Sequence, residues 1–243
     1  MGLPKQQYPT FEVKLASMDK PIVYRPFVSK EEKILLIALS GNDKQEMTRA
    51  VKQVLTNCVL TPGFDIDKIP SFDLEYLFVV IRSKSVGDVI TLSFRGRENT
   101  ECPVCKGDKT VDVNLNDIKV TTAPEHNKQI ELGQNFGVVM RYPSPNQLLD
   151  LIELRNNFNL DLQYKLMSEC IVHIYDANGV YEIQPENFKE AVTWLEELTS
   201  TQFSNVLAFF DTMPHLEHKI DLSCSHCGHE EIFTLSGLES FFW

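Results

Sequence analysis

The sequence of 243 residues predicts an α+β fold, and three observations support that prediction. First, two Cys-x-x-Cys pairs, at 102–105 and 224–227, are each flanked by runs of alternating apolar and polar residues, as expected of strands. Second, long stretches outside these runs repeat apolar residues at helical spacing. Third, 118 residues lie between Cys105 and Cys224, whereas a compact four-cysteine site leaves roughly 15 to 20. We therefore expect a β unit in two halves, separated by a long insertion.

These observations divide the chain into four segments. Residues 1–86 are expected to form an N-terminal β-hairpin and helices, and residues 87–120 the first half of the β unit. Residues 121–218 form a mainly helical insertion with hairpins. Residues 219–243 complete the β unit and end in an aromatic C-terminus.

The N-terminal segment predicts a hairpin followed by a helix. Phe11–Ala16 alternates, and Ile22–Phe27 is a second extended run beyond a turn-prone stretch. Ser29 and Glu32 then match a capping box, in which the serine hydroxyl accepts the glutamate amide and the carboxylate accepts the serine amide. A helix is therefore expected to begin at Ser29.

Two more helices are predicted before residue 87. Asp43–Leu60 carries apolar residues at helical spacing after a break at Ser40–Asn42. Pro70 and Ser71 open a third helix, whose single apolar face indicates a central position in the core.

The rest of the chain alternates between strand and helix signals. Strand patterns occur at 89–94, 110–115, 219–222 and 232–235, and Asn178-Gly179 between two apolar runs is typical of a tight hairpin turn. The remaining predictions are a hairpin at Gln129–Tyr142 and helices at Asn146–Phe158, Leu160–Ile171, Pro185–Leu198 and Ser200–Phe210.

Composition indicates an ordinary globular protein and excludes several functional classes. Hydrophobic residues make up 43% and charged residues 23%, so a packed core is expected. The apolar stretches are far shorter than the ~20 residues of a membrane span. Residues 1–6 lack the apolar core of a secretory signal, so we expect a reducing cytoplasm.

The four paired cysteines predict a structural zinc ion bound by Cys102, Cys105, Cys224 and Cys227. Two residues between paired cysteines let one tight turn aim both sulfurs at the same ion, and zinc prefers a tetrahedral set of thiolates. Two metal-free turns, or redox use of one pair, are the alternatives. Four thiolates fill the zinc shell and leave no position for a catalytic water, so the pattern argues against an enzyme. The predicted fold is therefore a split zinc-ribbon-like β unit.

The remaining cysteines, histidines and acidic residues are interpreted as structural or solvent-exposed side chains and not as functional sites. No catalytic residues are predicted, because the sequence holds neither a nucleophile motif nor a phosphate-binding glycine pattern. Cys58 and Cys170 are expected to be small buried hydrophobes. The four histidines near the second pair are expected to face solvent, and His215 and His218 share no matching carboxylate arrangement. The last expectation is a solvated acidic loop formed by Asp65, Asp67 and Asp73.

A nucleic-acid-binding zinc ribbon is the main alternative function. The net charge is −11, and the sequence has no run of lysine and arginine residues of the kind that binds along a phosphate backbone. Lys106 and Lys109 flank the first pair, but Glu230 and Glu231 follow the second. Nucleic acid is therefore not expected as a partner.

Several longer motifs carry a resemblance to a known family. Besides the two cysteine pairs, these motifs are residues 24–27, 30–36, 72–78, 82–87 and 235–242. With these motifs, the chain resembles over nearly its whole length the baseplate hub proteins of T4-like contractile-tailed bacteriophages, which include hub subunits and hub assembly factors.

The resemblance implies a virus-encoded, non-enzymatic protein that acts in assembly or structure of the central hub of the tail baseplate. Its partners are then other hub proteins or the tape-measure protein, with no membrane involved. Its location is the host cytoplasm during assembly, or the tail of the virion. A separate hypothesis concerns Phe241-Phe242-Trp243: we expect the two phenylalanines to pack on the ribbon and Trp243 to contact a partner.

Overall fold

The computed structural model describes residues 6–41, 43–94, 102–107, 109–147, 150, 153–154 and 159–237. Helices and small antiparallel sheets occur together, which confirms the α+β prediction. The helices are α1 Ser29–Ser40, α2 Lys44–Cys58, α3 Ser71–Val86, α4 Leu160–Cys170, α5 Phe188–Glu196 and α6 Ser200–Thr212. The strands are β1 Phe11–Val13, β2 Ile22–Tyr24, β3 Val89–Phe94, β4 Lys109–Asn114, β5 Lys119–Thr121, β6 Gln129–Gly133, β7 Phe136–Met140, β8 Ile171–Tyr175, β9 Val180–Glu182, β10 His215–Ser223 and β11 Glu230–Ser236.

The chain forms two compact units. The first unit comprises Met1–Ile66, Phe72–Thr121 and His215–Trp243, and the second comprises Asp67–Ser71 and Thr122–Pro214. Both halves of the predicted β unit therefore belong to the first unit, although the second unit separates them in sequence.

The predicted N-terminal hairpin is confirmed, and a buried aspartate holds its turn. Strands β1 and β2 pair antiparallel. The Asp73 carboxylate accepts the N–H of Ala16 at 2.9 Å and that of Ser17 at 3.0 Å. Asp73 is fully buried, and burial raises its pKa despite these two hydrogen bonds. The expectation that Asp73 belongs to a solvated loop was therefore wrong, while Asp65 and Asp67 are exposed as predicted.

Helix α1 begins where the sequence predicts, but its capping residues lie one position earlier. Val28 is the N-cap, and its N–H donates to the Glu31 carboxylate at 3.0 Å. The same carboxylate accepts a 3.0 Å hydrogen bond from Nη2 of Arg25. Glu32, the predicted capping residue, is exposed instead. The physical reason is that the buried Glu31 carboxylate serves both as the cap and as the ion-pair partner of Arg25.

Helices α2 and α3 form as predicted and supply much of the core of the first unit. The Asp43 side chain caps α2 by accepting the N–H of Gln45 at 2.8 Å. Helix α3 is buried along most of its length, with at most 1% exposure at Leu74, Leu77, Phe78 and Ile81. The prediction that α3 is central is confirmed.

Two hairpins carry the cysteine pairs at their ends. Strands β3 and β4 pair antiparallel in one sheet. Strands β10 and β11 pair antiparallel in a second sheet, where Ser223 lies opposite Glu230. Strand β5, which the sequence did not predict, pairs with the start of β10. The predicted strands on both sides of each cysteine pair are therefore present.

The second unit combines a four-stranded antiparallel sheet with helices α4, α5 and α6. The sequence predicted two separate hairpins, and the pairing of β7 with β8 joins them into one sheet in the order β6-β7-β8-β9. The predicted helix at Asn146–Phe158 lies largely outside the described residues. The core includes Val138, Met140, Leu166, Cys170, Leu195 and Phe209.

Two glycines show how this sheet is built. At the tight turn, the carboxylate of Asp176 accepts the N–H groups of Asn178 and Gly179. Gly137 in β7 lies opposite Tyr175 in β8, and a Cβ at Gly137 would clash with the Tyr175 hydroxyl and with the Ile130 carbonyl. The tyrosine ring therefore occupies the space that a side chain at position 137 would need.

Candidate metal centre

The first cysteine pair lies in a tight turn that precedes β4. The N–H of Lys106 donates to the carbonyl of Cys102 at 2.9 Å, and the N–H of Cys102 donates to the carbonyl of Gly107 at 3.2 Å. These two bonds fold the chain back on itself, so that the side chains of Cys102 and Cys105 point to one side of the turn. We refer to residues 102–107 as the first knuckle.

The second pair repeats this local structure at residues 224–229, the second knuckle. The N–H of Gly228 donates to the carbonyl of Cys224 at 2.9 Å, and the N–H of Cys224 donates to the carbonyl of His229 at 2.9 Å. The fifth residue of each knuckle has a positive φ, 59° at Lys106 and 73° at Gly228. Lysine seldom adopts this left-handed conformation, which glycine adopts at little cost. The two knuckles are thus a structural repeat.

The structure brings the four predicted ligands together. The Sγ atoms of Cys102 and Cys227 are 3.5 Å apart, as are those of Cys105 and Cys224, and all four lie within 4.8 Å of one another. A disulfide requires about 2.05 Å. With Zn–S bonds of about 2.3 Å, a tetrahedral site has S–S edges of about 3.8 Å. The donor set and its spacing therefore fit a tetrahedral thiolate site.

The turns themselves favour the thiolate form at the first cysteine of each pair. Burial raises the pKa of Cys102, but the N–H groups of Cys105 and Val104 outweigh it and bring that pKa to about 6. Hydrogen bonds from the N–H groups of Cys227 and His226 lower the pKa of the Cys224 thiol. At Cys227 a backbone N–H also lowers the pKa, but the Cys102 thiol and burial raise it to about 12. A bound divalent cation favours ionisation of all its thiol ligands.

The histidines of the second knuckle lie outside this sulfur cluster. His226 is exposed, as predicted, and its ring lies against Gly107, where a Cβ would come within 2.7 Å of the ring atom Cδ2. Gly107 therefore permits the two knuckles to approach each other. The expectation for His215 needs correction, because its Nε2 lies 3.1 Å from a carboxylate oxygen of Glu217 on the same strand.

Sequence reasoning missed one pair of residues next to the cluster. In the sequence, Lys109 flanks the first pair and Glu231 follows the second, with no contact predicted between them. The Lys109 side chain is instead fully buried, and its Nζ forms an ion pair with the Glu231 carboxylate. Their positions in the sequence could have indicated the pair: each residue lies four places after the second cysteine of its pair, and the two carry opposite charges.

The other two cysteines are buried and do not join the cluster, as predicted. Burial raises the pKa of the Cys58 thiol to about 11, and it also raises the pKa of the Cys170 thiol. Both thiols are therefore protonated at neutral pH. The predicted contacts of residues 241–243 lie outside the described residues.

Comparison with known proteins places the chain in a family. Neither the curated proteins nor the solved structures gave a match. In the part of the chain that the structure describes, no helix has both the length and the apolar character needed to cross a bilayer. A family model described as T4 bacteriophage base plate protein matches residues 8–243. Since this match covers nearly the whole chain, the protein belongs to the T4 bacteriophage base plate protein family.

Proposed function

We propose that the protein is a non-enzymatic component of tail assembly that builds or forms part of the central hub of the baseplate, stabilised by a structural zinc ion. The observation that carries this proposal is the family match over residues 8–243. The sulfur cluster adds to it, since it is a closed donor set of the kind that supports structure.

The zinc part of the proposal depends on the type and arrangement of the four donors. Soft thiolates in tetrahedral geometry favour zinc over magnesium or calcium, which prefer oxygen ligands. The repeated turn geometry of the two knuckles and the hairpins that carry them support a split zinc ribbon. With four thiolates bound, zinc has no open position for water or substrate, which supports a structural and not a catalytic role.

The proposed partners are other hub proteins or the tape-measure protein, and the proposed location is the host cytoplasm during assembly and the tail. A family of base plate proteins implies contacts with other base plate components. The net charge of −11 favours protein partners over nucleic acid.

The metal proposal is tested by measuring the zinc content of the purified chain together with its thermal stability. We expect one zinc per chain in the parent protein. Cys224→Ser should lower metal content and melting temperature together, because the binding energy of a structural zinc is folding energy. Cys58→Ser is the matched control, since it changes a buried thiol of the same unit outside the cluster and should leave zinc content unchanged. A zinc-free parent of normal stability would contradict the proposal.

The hub proposal is tested by disrupting the gene in its virus and imaging the tails by electron microscopy. We expect base plates that lack a central hub, and a hub protein or the tape-measure protein should copurify with the tagged parent chain. Complete hubs without the protein would refute this role. A gel shift at physiological salt addresses the nucleic-acid alternative, which predicts binding that weakens steeply as salt increases.

A further inference from the structure

Lys109 and Glu231 occupy equivalent positions in the two halves of the sequence repeat. Each follows the second cysteine of its pair by four residues, Cys105 in one case and Cys227 in the other. Lys109 is the first residue of β4, and Glu231 is the second residue of β11. The ion pair between them therefore joins the two hairpins just beyond the knuckles.

The two partners differ in exposure. The Lys109 side chain is 0% exposed, whereas that of Glu231 is 32% exposed. Burial of an ammonium group is costly unless a charge of opposite sign compensates it. Glu231 supplies that charge, and it comes from the other knuckle repeat. Burial of Lys109 is therefore favourable only when the two halves are correctly placed.

The relative placement of the knuckles matters because the closest thiol contacts run between them. Cys102 approaches Cys227, and Cys105 approaches Cys224. Strands β3 and β4 form one sheet, while β10 and β11 belong to another. The ladder that links the two segments, β5 with β10, lies at the start of β10 and not at the end that leads into the second knuckle. Side-chain contacts close to the knuckles can therefore set their relative position.

We propose that Lys109 and Glu231 are positioning residues for the metal centre, and that their ion pair fixes the register of the two knuckles so that the four thiols converge before the metal binds. This inference rests on the proposed zinc site. An ion pair specifies register more strictly than an apolar contact, because it is directional and a displaced partner leaves a buried charge without compensation.

The test uses Co²⁺, whose absorption reports tetrahedral thiolate ligation, in titrations of the full chain against a competing chelator. The variants are Lys109→Met, Glu231→Gln and the double variant Lys109→Met/Glu231→Met. Lys84→Met is the matched control, since it removes the 3.0 Å ion pair between Lys84 and Asp88, which is partly exposed and lies in the same unit.

We expect each single variant to weaken Co²⁺ affinity by about 10-fold, the lower end of the loss caused by removing groups that orient metal ligands. Lys84→Met should bind as the parent does. The double variant separates positioning from stability, because replacing both members of a buried ion pair by apolar residues restores stability in many proteins. Its melting temperature without metal should return to near that of the parent, while its Co²⁺ affinity stays about 10-fold weaker.

Three results would overturn the proposal. Parent-like Co²⁺ affinity in the double variant would mean that apolar packing places the knuckles equally well. Parent-like affinity in both single variants would mean that the ion pair has no part in metal binding, while the zinc site itself would stand. A parent chain that binds neither Co²⁺ nor Zn²⁺ would remove the metal centre and this inference with it. If Glu231→Gln fails to fold, the double variant still decides.

Discussion

Replacement of Glu31 by glutamine tests a buried ion pair of the N-terminal region. Glu31 has no exposed side-chain surface, and its partner Arg25 is only 13% exposed. The Glu31 carboxylate accepts hydrogen bonds from the guanidinium of Arg25 and from the N–H of Val28, which is the N-cap of α1. Glutamine has one acceptor oxygen, so its NH₂ group would face one of these two donors. Glu31→Gln therefore removes both a charge and a helix cap.

We expect this change to lower the free energy of unfolding by about 3 kcal/mol, the lower end of the range for breaking a buried ion pair. For a urea dependence of about 3 kcal/mol per molar, the midpoint of unfolding falls by about 1 M. The assay is urea unfolding followed by circular dichroism, with hydrogen exchange of the α1 amides as a local measure. Glu32→Gln is the matched control, because Glu32 is exposed on the same helix.

The dependence on pH provides a second readout. Burial raises the pKa of Glu31, but the hydrogen bonds from Arg25 and Val28 and the charge of Arg25 outweigh it and hold the pKa below 4.5. A carboxylate with a lowered pKa in the folded state contributes stability above its unfolded pKa and loses that contribution as pH falls through the folded value. The difference between parent and Glu31→Gln should therefore shrink below about pH 4. A midpoint shift no larger than that of Glu32→Gln would refute the reasoning.

Three further changes test the metal site and the cores of both units. Cys224→Ser should release zinc and lower the melting temperature, and metal analysis that still finds one zinc per chain would count against the four-thiol site. Asp73→Ala leaves two turn amides without their acceptor and should cost about 2 kcal/mol or more in urea unfolding, whereas Asp19→Ala, at an exposed position in the same hairpin, should change little. Gly137→Ala forces a methyl group against a carbonyl and a tyrosine hydroxyl and should cost about 1–3 kcal/mol. Gly179→Ala, which has open space around it, is its control, and equal stability of the two variants would contradict the packing at Gly137.

Features that depend on neighbouring residues in the chain were predictable. Helices α2 and α3 follow from apolar spacing and from capping residues such as Asp43, and the hairpin β1–β2 follows from alternation across a turn. The cysteine composition of the sulfur cluster was also predictable, because the two-residue spacing in each pair is itself a local property.

Features that depend on contacts between distant segments were not predictable. Glu31, and not Glu32, is the capping residue, and its carboxylate also accepts a hydrogen bond from Arg25. Arg25 is not part of any capping motif, so the motif alone could not identify Glu31. From the sequence, Asp73 is expected to be exposed, because its acceptor role depends on the distant turn at Ala16 and Ser17. Likewise, burial of Lys109 could not be predicted locally, because its ion-pair partner Glu231 lies on the second hairpin.

The sequence by itself determined the chemistry of the candidate site, four thiols in two equivalent turns, because ligand type and turn spacing are local. It also determined the family, through motifs distributed along nearly the whole chain. The tertiary structure alone decided that the four sulfurs lie within 4.8 Å of one another, although 118 residues separate the pairs. The physical reason is that this convergence depends on how two hairpins of different sheets pack, and that packing depends on long-range contacts such as the ion pair between Lys109 and Glu231.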